Sequence, residues 1–156
     1  MSRSGADLAL LLISGYRSLV DAATAELASR GYEDFKPIHE FALRAIAAGA
    51  DSASDLGRRT SVSKQAAAKT IAVLAERGFI ASAPDPSDGR RNRLRVTSLG
   101  FDVMAQGEAI FDNIREEWAK RIGAKELADL EARLGTLVGD GMIRMDAPGW
   151  VAHDPR

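Results

Sequence analysis

The segment Asp85-Pro86-Ser87-Asp88-Gly89-Arg90-Arg91-Asn92-Arg93-Leu94-Arg95-Val96-Thr97 constrains the fold more than any other. Pro, Ser, Asp and Gly together are turn chemistry: a preset φ, short side chains that bond nearby backbone, and tolerance of unusual angles. Beyond the turn, Arg93-Leu94-Arg95-Val96 alternates charged and apolar residues as a half-buried strand does. The preceding run, Phe79-Ile80-Ala81-Ser82-Ala83, is suited to be its partner. The expected product is a two-stranded ribbon with cations at its tip. Such a ribbon suits phosphate contact, which needs mobile cations on a protruding, rigid support.

The rest of the pattern is helical. Leu8, Leu11, Leu12, Ile13, Tyr16, Leu19, Val20, Ala23 and Leu27 recur at three and four, predicting a long amphipathic helix over 7–29 that Gly31 stops. Pro37 opens a second helix, which buries Ile38, Phe41, Ala42, Ala45 and Ile46 and ends at Gly49. Ser54 is the expected cap of a short helix from Asp55 to about Arg59, and Ser63 that of a helix from Lys64 to Arg77. In the latter, Ala67, Ile71 and Leu74 form the inward stripe, leaving Lys64, Gln65, Ala68, Lys69 and Ala72 outside. Two helices joined by Thr60-Ser61-Val62, the second polar in its first turns, make a helix-turn-helix. The small alanines matter because approach to base edges requires a slim helix surface.

After the ribbon, Thr97 or Ser98 caps a helix running to about Arg121, with Leu99, Val103, Ile110, Ile114 and Trp118 along one face. A last helix spans Ala124 to about Val138, and its Leu127, Leu130, Leu134 and Leu137 form a seam too short for a free-standing coiled coil. The fold class expected is mainly α with a small two- to three-stranded β wing, a winged helix-turn-helix flanked by N- and C-terminal dimerisation helices. Residues 36–96 form its winged lobe, 7–30 plus 97–138 its helical dimerisation lobe, and 139–156 an irregular tail. Terminal helices with more apolar surface than one small domain can cover call for a partner, and a homodimer is the simplest closure.

Charge is distributed to match. The chain as a whole carries −1, but from Asp51 to Val96 nine Lys/Arg stand against five Asp/Glu, a balance of +4. The remainder holds twelve against seventeen, or −5. A basic middle between acidic ends presents one face to a polyanion. The chain has no cysteine and two histidines, which removes thiolate metal sites and thiol redox sensing and fits a reducing cytoplasm. No metal site and no cofactor is expected. No run approaches the roughly 18–20 continuous apolar residues of a membrane span, and Leu8–Ile13 reads as amphipathic helix rather than signal peptide. Nor is there a Gly-rich phosphate loop, a nucleophile elbow or a cluster of His, Asp and Glu at ligand spacing, so no catalytic residues are assigned and an enzyme is not expected.

From about Asp7 to Val138 the sequence resembles the MarR family of transcription regulators. Asp88-Gly89-Arg90, followed by Leu94-Arg95-Val96-Thr97 and Gly100, is similar to the family's Asp-x-Arg wing signature. Ser54-Asp55-Leu56-Gly57 resembles the start of its first helix-turn-helix helix; Val62-Ser63-Lys64-Gln65-Ala66, Leu74 and Gly78-Phe79-Ile80 follow its recognition helix and exit. Glu126-Leu127 and Leu130 resemble its closing dimerisation helix. Ser61 departs, standing where many relatives place Gly.

The resemblance implies a homodimer whose recognition helices enter successive major grooves of a pseudo-palindromic double-stranded DNA site. Ser63, Lys64, Gln65, Ala68 and Lys69 are then the recognition-helix candidates, since Gln can pair bidentately with adenine and Lys with guanine or phosphate. Arg90 and Arg91, with Arg93 behind them, are the wing candidates for the minor groove or its phosphates. Asp88 is expected to shape the wing by pairing with Arg90, and Arg58 and Arg59 to touch phosphate. The family further implies regulation of nearby genes, most often by repression, and release by a small aromatic or anionic effector. Tyr16, His39, Phe41 and Arg44 are the candidates to line its pocket, though a lone His beside Pro37 and Ile38 is more often a packed or hydrogen-bonded residue than a sensor. The competing reading, a winged helix used for protein contact, is disfavoured by the four arginines, because a docking wing would expose apolar groups instead.

Overall fold

The computed structural model describes residues 4–139 and, among these, six helices and one two-stranded sheet. In chain order they are α1 (Gly5–Ser29), α2 (Pro37–Ala47), α3 (Ala53–Thr60), α4 (Lys64–Glu76), β1 (Ile80–Asp85), β2 (Asp88–Val96), α5 (Ser98–Ile122) and α6 (Ala124–Val138). The architecture is mainly α with a β wing, a winged helix-turn-helix between long terminal helices. The irregular tail expected over 139–156 lies, apart from Gly139, outside the described residues.

The chain divides into two compact units. Among the described residues, one comprises 4–35 and Ala105–Leu137, the other Lys36–Met104 and 138–139, so α5 contributes to both.

In the winged unit α3 and α4 each start on a serine whose side chain satisfies one of the helix's open N–H groups. Ser63 Oγ accepts from Ala66 N–H at 3.1 Å, as expected for α4. For α3 the cap is Ser52, not Ser54: Ser52 Oγ accepts from Asp55 N–H at 3.1 Å, and the helix begins at Ala53. Pro37 takes the first position of α2, and the Lys36 N–H ahead of it donates to His39 Nδ1 at 3.0 Å. His39 is buried, and this bond requires an unprotonated Nδ1. Leu43, Leu56, Leu74 and Val103 are fully buried and bring α2, α3, α4 and the start of α5 around one core.

Thr97 knots the exit of α4, both strands and α5 together. Its N–H donates to the Phe79 carbonyl at 3.0 Å, its hydroxyl donates to the Gly78 carbonyl at 2.6 Å, and the same Oγ1 accepts from Gly100 N–H at 3.1 Å. Gly100 is packed so tightly that a Cβ there would stand 2.2 Å from the Phe79 carbonyl oxygen and 2.6 Å from Val96 Cγ1.

In the helical unit, Ser4 and Asp7 form a capping box that starts α1 two residues earlier than the apolar pattern does. Tyr32 accepts from Gln106 at 3.3 Å, and Arg115 meets Glu131 through two bonds of 2.6 and 2.7 Å, joining α5 to α6. Ala23, Leu27, Ile110 and Leu127 are buried. Leu8, Leu10, Leu11 and Leu12 of α1, Phe111 and Ile122 of α5, and Leu130, Leu137 and Val138 of α6 are exposed. By length and composition alone α1 could cross a membrane, with a mean hydropathy of 1.3 over its most apolar 18 residues. Its neighbours in the unit expose apolar side chains too, which a lone spanning helix would not require.

Candidate nucleic-acid interface

The outer face of α4 carries Ser63, Lys64, Gln65, Ala66, Ala68, Lys69 and Ala72, all exposed, while Ala67 and Leu74 are buried and Ile71 half-buried. The pattern follows from helical period: residues three and four apart share a face, and the apolar stripe seats the helix. Long polar side chains therefore project from a surface otherwise made of methyl groups.

The wing differs from its sequence reading in three respects. Its strands run almost to each other, joined only by Pro86 and Ser87, so they exceed the expected Phe79–Ala83 and Arg93–Val96. The pairing runs from Ile80 opposite Val96 to Pro84 opposite Asn92, and the next pair is Asp85 with Asp88. One step on β1 thus spans four on β2, and Gly89, Arg90 and Arg91 have no partner positions. They form a bulge, which is how a strand re-aims side chains. Arg90 and Arg91 are both exposed on it.

Asp88 does not reach the Arg90 side chain as expected; its Oδ1 accepts from the Arg90 backbone N–H at 3.1 Å, shaping the bulge through the main chain. The residue missed by sequence reasoning is Asp85. It is 9% exposed, its Oδ1 accepts from Ser87 N–H at 2.9 Å and Ser87 Oγ at 2.7 Å, and its Oδ2 stands 3.6 Å from Arg93 Nε. The Ser87 donors hold its carboxyl below the usual carboxylate range, and the charges of Arg93 and Arg91 add to this. An Asp two residues before a Ser in a Pro-containing turn is an Asx-turn signal, and it was legible. Arg93 is therefore paired within the wing. With Arg95, Pro84, Pro86, Asp51 and Gly49 it also lines an open hollow of about 350 Å3.

Arg58 and Arg59 both pair with Asp55, at 2.8 and 3.1 Å. Arg59 also donates to the Ala48 carbonyl at 3.1 Å, which ties α3 to the end of α2. Arg58 stays 77% exposed and keeps its charge outward. Of the effector candidates, His39, Phe41 and Arg44 lie on α2 and Tyr16 on α1 of the other unit. Arg44 pairs with Glu40 at 2.8 Å. Burial pushes the Tyr16 hydroxyl up to about 12, so it stays a protonated donor.

A helix-turn-helix followed by a cation-bearing hairpin defines the winged-helix class. Residues 34–91 match the model of the MarR family. No curated protein matches the sequence. Among solved structures, the fold is shared with the reduced form of MarR from E. coli, at 20% identity and a TM-score of 0.68 over 89% of this chain and 99% of that one. It is likewise shared with Streptococcus pneumoniae FabT in complex with DNA, at 15% identity and 0.70 over 86% and 95%. A third is an S. aureus MepR mutant bound to an oligodeoxyribonucleotide, at 16% identity and 0.60 over 87% and 97%. The match over residues 34–91 and the shared fold make this a winged helix-turn-helix chain similar to the MarR family.

Proposed function

We propose that this chain is a cytoplasmic DNA-binding transcription regulator and not an enzyme, acting as a homodimer on a pseudo-palindromic operator, most simply as a repressor. The observation that carries the reading is the pairing, on one unit, of a slim exposed α4 face with an arginine bulge. Lys64, Gln65 and Lys69 supply base-edge and phosphate contacts, and Ser63, Ala68 and neighbouring alanines let the helix approach. Arg90 and Arg91 reach the adjacent backbone or minor groove. The exposed leucines of α1 and α6 support a second copy as the occupant of the helical unit. Residues 36–96 serve as the DNA lobe and 7–30 plus 97–138 as the dimerisation lobe. Release by a small aromatic or anionic effector completes the proposal; it requires a ligand with different affinities for the two states. His39 is set aside as a sensor because its Nδ1 already serves the start of α2.

The test is binding to DNA from the region around its own gene as a function of salt. A dimer brings two copies each of Arg90 and Arg91, and each phosphate contact adds about 0.9 to the slope of log affinity against log salt. Reversing both charges in each protomer should flatten that slope by up to about 3.6, shrinking the loss of affinity between 50 and 200 mM salt by on the order of 100-fold. An unchanged slope and affinity would remove the wing from the interface. A monomer by light scattering at micromolar concentration would remove the symmetric operator.

A further inference from the structure

The wing holds a negative charge where a DNA-binding surface should avoid one. Asp85 is buried at the point where the strand register breaks, and both of its oxygens are engaged, one by the two donors of Ser87 and one facing Arg93. Immediately across the turn, three residues of β2 lose their partners and carry Arg90 and Arg91 outward. Two-residue turns otherwise let strands pair to their ends, so something must fix this larger protrusion in one shape. We propose that Asp85, through Ser87 and Arg93, is the positioning residue of the wing: it locks the turn so that the bulge presents Arg90 and Arg91 in one geometry. This rests on the DNA-binding reading above.

Two consequences set the proposal apart from simple electrostatics. Arg93 serves the wing rather than DNA, although it is one of the four arginines of the ribbon. Removing the Asp85 charge also makes the wing more basic, so Coulomb attraction alone predicts tighter binding to any DNA. Loss of the lock predicts the opposite for the operator, because a loosened bulge must be ordered on binding.

The experiment compares affinity for operator DNA and for a scrambled duplex at fixed salt. D85A should weaken operator binding on the order of tenfold while leaving or tightening scrambled binding, so that the specificity ratio falls. D85N keeps an oxygen acceptor for Ser87 and should restore most of that ratio despite carrying the same charge change. S87A alters an exposed side chain, leaves the fold intact and should give a smaller loss in the same direction, which charge alone does not predict. Tighter binding of D85A to both duplexes, an equal loss on both, or a D85N variant as impaired as D85A overturns the proposal. The double variant R90A/R91A separates the premises. If it binds operator like the wild type, the wing reading fails and the lock with it; if it loses operator affinity while D85A and S87A do not, the lock alone fails.

Discussion

Gly100→Ala tests the packing at the root of the wing, because two ordinary arguments predict opposite signs for it. Gly100 lies in the first turn of α5, and helix propensity alone credits alanine with about 1 kcal/mol over glycine. The structure opposes this. A Cβ at Gly100 would sit 2.2 Å from the Phe79 carbonyl oxygen, whereas ordinary contact begins at 3.4 Å, so backbone must yield by more than 1 Å. That carbonyl accepts from Thr97 N–H, and Phe79 and Val96 beside it are buried. Overpacking of such a site costs about 1–3 kcal/mol, and losing the displaced hydrogen bond about 1 more. Subtracting the propensity gain leaves a net loss of about 1–3 kcal/mol, or roughly 2–4 °C of melting temperature per kcal/mol for a chain of this size. Urea and thermal unfolding measure it. Gly135→Ala in α6 is the matched control: nothing lies within 4 Å of its added methyl, so it should gain about 0.5–1 kcal/mol. A Gly100→Ala variant at or above the wild-type midpoint would refute the packing argument, since the same substitution chemistry is present in both.

Two further outcomes follow from backbone strain and from charge. Ser61 closes α3 in the left-handed region, at φ 56° and ψ 41°, a conformation that costs a residue with a Cβ about 1–2 kcal/mol; Ser61→Gly should therefore raise stability by about 0.5–1 kcal/mol after the entropy of the freer unfolded chain is charged against it, and a lowered melting temperature would contradict this. At Asp55, burial pushes the carboxyl up, but the Arg59 hydrogen bond and the charges of Arg59 and Arg58 outweigh it, leaving the group below its ordinary value. A depressed carboxylate stabilises the fold above its unfolded pKa of about 3.9 and stops doing so as pH falls through the folded value, so melting temperature should drop on acidification below about pH 4, and Asp55→Asn should flatten that part of the profile.

Much of the architecture could be read in advance because it depends on near neighbours in sequence. The inward stripe of α4 is set by helical period, and Ala67 and Leu74 are where that period puts them. The exit turn and the hairpin follow from Gly78 and from Pro86-Ser87. The misassigned α3 cap is instructive, since Ser52 and Ser54 are chemically equal. What decides is the partner three residues on: Ser52 reaches Asp55, whose side chain then meets Arg58 and Arg59 on the following turn. The spacing Ser52-Ala53-Ser54-Asp55 was in the sequence. The tie from Arg59 to the Ala48 carbonyl was not, because it closes across eleven residues and depends on where α2 ends.

The wing shows most plainly where local reading stops. Arginine content alone suggests four equivalent cations, yet pairing geometry divides them. Register decides that Arg90 and Arg91 fall in the stretch of β2 without partners, while Arg93 stands opposite Ala83, within reach of Asp85. Shifting the bulge by two residues along β2 would put Arg93 in the unpartnered stretch with no change in composition or net charge. The allocation of charge is thus a property of register, and register here is fixed by a turn whose geometry depends on one buried carboxylate. A substitution that leaves every arginine in place can therefore still remove the wing's grip, and one that deletes Arg93 need not remove a phosphate contact. On the proposed function, mutagenesis confined to the arginines would probe the contacts themselves and leave out Asp85, the residue proposed to sort them.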